Sequence, residues 1–181
     1  MEKNPNRIYI HSNKLFLEAL RDACHILLLS AEPPTPFKEL VTGWPQYIGV
    51  KDSLSHRVGG IIIGKEKACV PTVFRLAWPE DIKEAYQSGK LTNYDLDMAG
   101  LLLMWLVIEA ILHSLKAAYV DLFSDTLPTV GWVKRLAARG SHVAMQFLSE
   151  LLFRIKENGT SPLTPLHIPG EENQMTNTPS W

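Results

Sequence analysis

The chain has 181 residues, 46% of them hydrophobic and 20% charged, with a formal net charge of -1. That balance supports a sizeable core and excludes wholesale disorder, and the length suits one domain with room for a short extra segment. A net charge so close to zero leaves no global footprint for nucleic acid, so any such partner has to be argued from local residues. The two cysteines, Cys24 and Cys69, fit no metal-ligand spacing, and the polar start Met1–Arg7 carries no signal peptide. An intracellular protein with reduced thiols is the expectation.

Along the chain, Leu15, Leu17, Leu20, Cys24, Leu27 and Leu28 recur at helical steps and predict a helix from residue 8 to about 30. Ala31–Pro36 ends it, because proline lacks an N–H and restricts the residue before it. Residues 1–36 therefore read as a helical appendage, ahead of a domain spanning 40–181. Gln46–Lys51 and Gly59–Ile63 are short apolar runs around the polar stretch Asp52–Arg57, which predicts a hairpin with its turn there. Cys69–Leu76 predicts a third strand, Pro71 marking an edge or a bulge. A connection follows, with a helical turn in Glu80–Gln87.

Thr92 and Asp95 form a capping-box pattern, aspartate replacing the usual Glu or Gln, and open the longest helix. Its apolar run, Met98–Leu112, is interrupted by Glu109 and is shorter than the roughly 20 residues a bilayer needs. It reads as a buried core helix. Tyr119–Ser124 predicts a fourth strand, and Pro128–Ala138 a helix with proline in its first turn. Ser141–Asn158 predicts another helix, apolar along Val143, Phe147, Leu151, Leu152 and Ile155 and stopped by Gly159. Leu163–Ile168 predicts a fifth strand. An antiparallel hairpin feeding parallel strands through crossover helices gives the α/β class.

This layout puts Asp52 at the end of the first strand, Asp97 in the first turn of the long helix and Asp125 at the end of the fourth strand. Strand ends of an open α/β sheet are where ligands collect. Phosphodiester hydrolysis by two divalent ions about 4 Å apart needs carboxylates converging from separate elements. Taken singly, each acid also has an ordinary reading, as a turn former, a helix-dipole partner or a helix-approach residue. Lys134, Arg135 and Arg139 beside Trp132 read first as a solvated helix face and second as a nucleic-acid contact.

The neighbours of these acids carry a resemblance. Thr92-Asn93 followed by Leu96-Asp97-Met98-Ala99 resembles the ribonuclease H helix motif, and Phe123-Ser124-Asp125 its central-strand motif. His167, Gly170, Asn173 and Asn177 match its C-terminal motif in spacing, and Lys51-Asp52-Ser53 before Val58-Gly59-Gly60 supplies the first acid. More narrowly, residues 40 to 177 resemble the ribonuclease H-like domain that follows reverse transcriptase in eukaryotic retroelement polyproteins. The resemblance implies a five-stranded mixed sheet flanked by helices, with the N-terminal helix as the tail of a polymerase-to-nuclease connection. It implies Asp52, Asp97 and Asp125 as ligands of Mg2+ or Mn2+, and His167 as the group that moves a proton or releases product. It implies Thr92, Asn93 and Asn173 as contacts to an RNA–DNA hybrid, and an adjacent reverse transcriptase domain as partner.

Two departures qualify what is implied. Asp97 stands where the family has glutamate, shortening its reach by about 1.5 Å, one C–C bond. Asn177 stands in place of the fourth acid, and a neutral amide oxygen binds a hard cation less well than a carboxylate does. The chain also ends at Trp181, without the helix that usually braces that acid. The implied outcome is a ribonuclease H-type endonuclease with weakened or lost activity. A non-catalytic nucleic-acid or protein interaction module, or a retroelement fossil, is the alternative reading.

Overall fold

In a computed structural model, the structure describes residues 18, 21–22, 45–65, 70–111, 118–159, 164–169 and 172–173. The chain divides into two compact units, Met1–Pro36 and Phe37–Trp181. In the first, Glu18, Arg21 and Asp22 are helical and exposed. The rest of the helix expected over 8–30, both cysteines and Asn177 lie outside the described residues.

In the second unit, β1 (Tyr47–Ser53) and β2 (Arg57–Gly64) pair antiparallel, and β3 (Thr72–Ala77) pairs antiparallel with β2. β4 (Val120–Ser124) lies parallel to β1, and β5 (Thr164–His167) parallel to β4. The sheet order is β3-β2-β1-β4-β5. Among the described residues of this unit, the helices are α1 (Glu80–Gln87), α2 (Asn93–Ile111), α3 (Leu127–Arg135) and α4 (His142–Glu157). This is the expected α/β class, a five-stranded mixed sheet with flanking helices.

The hairpin is longer than the residue types suggest. Pairing continues to Ser53 opposite Val58, so Asp52 stays in the ladder facing Gly59. The turn is only Leu54–His56, closed by Leu54 N–H donating to the Arg57 carbonyl at 2.8 Å. Trp78, just past β3, donates its indole N–H to the Leu54 carbonyl at 2.8 Å and fixes that turn from outside. β3 is an edge strand and begins after Pro71, whose missing N–H is thereby kept off the ladder.

α2 is apolar nearly all round because it is covered on several sides. Leu101, Met104, Trp105 and Ile108 are fully buried, in one core with Val120 and Leu122 of β4 and Leu148 and Leu151 of α4. Close approach of α2 to the sheet depends on Gly60, where an added Cβ would crowd Met104 and Phe74 and lie 2.8 Å from the Val50 carbonyl oxygen. Among the described residues, no helix is long and apolar enough to cross a membrane.

Local chemistry sets the helix ends. Thr92 N–H donates to Asp95 Oδ2 at 2.8 Å and Asp95 N–H to Thr92 Oγ1 at 3.3 Å, completing the expected box. Because α2 starts at Asn93, Asp97 lies in its second turn, not its first. α3 stops at Arg135 rather than Ala138, since Leu136 adopts the left-handed conformation (φ 53°). Gly159 (φ 56°) follows α4, as expected. The buried stripe of α4 is Ala144, Leu148, Leu151 and Ile155. Val143 and Phe147 are only half-buried at its margin, because the helix meets α2 along a seam rotated slightly from the most apolar sequence face.

Candidate active site

Parallel pairing of β1, β4 and β5 brings their carboxyl ends to one side of the sheet. Asp52 is the penultimate residue of β1, Asp125 directly follows β4, and His167 ends β5 opposite Ser124. His167 Nε2 is 3.1 Å from the Asp125 carbonyl oxygen, a hydrogen bond that requires a protonated Nε2. Asp97 reaches the same region from α2 and is buried. The four expected catalytic side chains therefore come from β1, α2, the end of β4 and the end of β5.

Both oxygens of Asp97 have a partner. The Lys51 ammonium lies 2.7 Å from Oδ1, and the Thr126 hydroxyl donates to Oδ2 at 2.6 Å. The Thr126 hydroxyl oxygen also lies 3.3 Å from Asp125 Oδ1, so the two acids stand on either side of it. Thr126 is the N-cap residue of α3, but its side chain makes no capping bond and instead donates to Asp97. Lys51 is 0% exposed. Along β1 the side chains alternate. Ser53 and the Lys51 stem pack near Gly100 of α2, so Asp52 points to the opposite face of the strand.

Electrostatic coupling across the strand end is visible at Asp52. Burial raises its carboxyl above the ordinary carboxylate range, and the charge of Asp125 raises it further. Lys51 pulls it down, and Asp97 adds a smaller upward push. The three acids thus share a field, as repelling carboxylates brought near each other should. Among the described residues, however, no three His, Cys, Asp or Glu side chains stand close enough to hold a metal ion. With no three ligands together and the Lys51 charge already on Asp97, the acids as arranged do not fit a divalent cation.

Two of the expected substrate contacts have other engagements, and the third is buried. Thr92 is spent in the helix cap, and Asn93 Oδ1 accepts from the Tyr86 hydroxyl at 2.7 Å. Asn173 is buried, with its N–H donating to the Pro169 carbonyl at 3.1 Å. Trp132, the centre of the basic cluster, is buried edge-on against Tyr94 with ring centroids 6.2 Å apart, while Lys134, Arg135 and Arg139 are exposed. Lys51 and Thr126 are the site residues that sequence reasoning left without a role. The signal for Lys51 was its place between Gly49 and Ser53 on a strand face covered by α2. A lysine there has to be buried, and a buried ammonium has to find a carboxylate.

No family profile and no curated protein matches the chain. Among solved structures, it is similar to ribonuclease H1 from the halophilic archaeon Halobacterium salinarum NRC-1. That likeness has 12% identity and a TM-score of 0.51, over 72% of this chain and 91% of that one. It is also similar to LC11 ribonuclease H1, isolated from compost by a metagenomic approach, with 13% identity, a TM-score of 0.49 and coverage of 73% and 90%. The fold is ribonuclease H-like.

Proposed function

We propose that this chain is a retroelement-derived ribonuclease H-like domain that engages RNA–DNA hybrids, with its metal-dependent cleavage of the RNA strand weakened or lost. The observation that carries the reading is the meeting of Asp125 and His167 at the carboxyl ends of adjacent parallel strands, with Asp97 reaching Thr126 beside them from α2 and Asp52 coupled electrostatically to Asp125 and Asp97 from the end of β1. That is where an open α/β sheet gathers its ligand. Mg2+ or Mn2+ is the cofactor this reading assigns to the acids; as arranged they do not fit it, and Asn177 in place of a fourth acid weakens the set further. Thr92, Asn93 and Asn173 are the hybrid-contacting residues of this reading, and an adjacent reverse transcriptase domain is its partner. The Lys51–Asp97 ion pair favours a second reading, a non-catalytic hybrid-binding module, because it neutralises one of the acids.

Binding and cleavage separate the two. Fluorescence anisotropy should show the chain preferring an RNA–DNA hybrid over duplex DNA. Combining Asn177→Asp with Asp97→Glu should raise Mg2+- or Mn2+-dependent cleavage more than about tenfold, the low end of what perturbing a metal site costs. Hybrid binding with no cleavage by either protein selects the non-catalytic module. Absence of both overturns the proposal.

A further inference from the structure

We propose that the Lys51 ammonium is the resident cation of the acidic site, holding Asp97 in the place a divalent ion would take. A divalent ion then gains Asp97 only by displacing Lys51. Burial is the first reason. An ammonium with no exposure to water is strongly disfavoured unless a negative charge meets it at hydrogen-bond distance. Lys51 has that partner at 2.7 Å in Asp97.

The second oxygen of Asp97 accepts from Thr126 at 2.6 Å, so each carboxylate oxygen holds one short bond, one of them to a full positive charge. Gly100 packs over the strand here: a Cβ there would collide with the Ser53 hydroxyl, while the Lys51 stem lies at ordinary contact distance, 3.5 Å. The positive charge at Asp97 is therefore supplied by the chain itself. Only the identity of the competing ion rests on the proposed function. Metal binding is measured without nucleic acid, so a failure of hybrid binding leaves its outcome separate.

The wild-type chain, labelled with 13C at its aspartate carboxylates, is titrated with Mg2+. The Asp97 Cγ resonance should stay in place at concentrations that shift other carboxylates. Movement of Asp97 with saturation at low Mg2+ overturns the proposal. In Lys51→Met, Mn2+ affinity read by electron paramagnetic resonance should rise at least about tenfold over wild type, on the scale of metal-site perturbations. Equal or weaker affinity overturns it. Adding Asp97→Asn to Lys51→Met should abolish the gain, and a gain that persists places the ion elsewhere and also overturns it. Should Lys51→Met fail to fold, the wild-type titration decides alone.

Discussion

Asp52 shows how burial and neighbouring charge turn a single carboxyl into a pH-dependent stability effect. Its folded-state value lies above the ordinary 3.8, first from burial and next from Asp125. A group raised in this way holds its proton more tightly in the folded state than in the unfolded one. Its effect on stability is therefore absent below 3.8, where both states are protonated, and becomes unfavourable as pH rises through the raised value. Asp52→Asn, which cannot ionise, should match wild type at pH below that window and exceed it above. Urea midpoints on both sides of the window measure the difference, and a constant offset at every pH would contradict the assignment. Asp52 was readable in the sequence as a strand-end acid, because position after an apolar run is a local fact. The partner choice of Lys51 was not readable, since it depends on α2 delivering Asp97 from 46 residues away.

Between elements, α2 and α4 run side by side in the same direction and are tied at both ends. At their amino ends, the Ser141 hydroxyl donates to Asp95 Oδ1 while accepting from Ala144 N–H at 3.0 Å, so a single carboxylate serves the caps of two helices. At their far ends, Glu109 accepts from Trp105 at 2.6 Å, Arg154 at 2.8 Å and Asn158 at 2.8 Å. Asp95→Ala should cost about 2 kcal/mol, more than the roughly 1 kcal/mol typical of losing one cap, because both helix starts lose a partner. Thermal unfolding would check the total, and hydrogen exchange should show the first turns of both α2 and α4 opening together. Opening of α2 alone would mean that the Ser141 link carries no weight. Helix ends were legible from residues such as Thr92, Asp95, Ser141 and Gly159, whose chemistry acts within one turn. The reach of the hairpin was not. Asp52 and Ser53 are turn formers by type, yet pairing with Gly59 and Val58 holds them in the strand.

For the molecule as a whole, the order of folding follows from where the central strand finds its neighbours. β1 meets β2 across a three-residue turn, but its other edge pairs Tyr47 with Val120 and Val50 with Phe123. The local pairing closes a short loop, whereas the distant one must wait for α2 and its long loop to be ordered, at a larger entropic cost. Pulse-labelling hydrogen exchange during refolding should protect the β1–β2 amides before those of β4. Simultaneous protection would argue against this order. The sequence made the strands legible one by one, while the crossing that joins β1 to β4 rests on packing that no local window contains. On the ribosome the same geometry becomes a matter of timing. Synthesis proceeds at roughly 5–20 residues per second, so the first hairpin waits several seconds for the strand that completes the sheet. Through that interval β1 carries a bare edge, and the nascent chain is most exposed to mispairing just before β4 emerges.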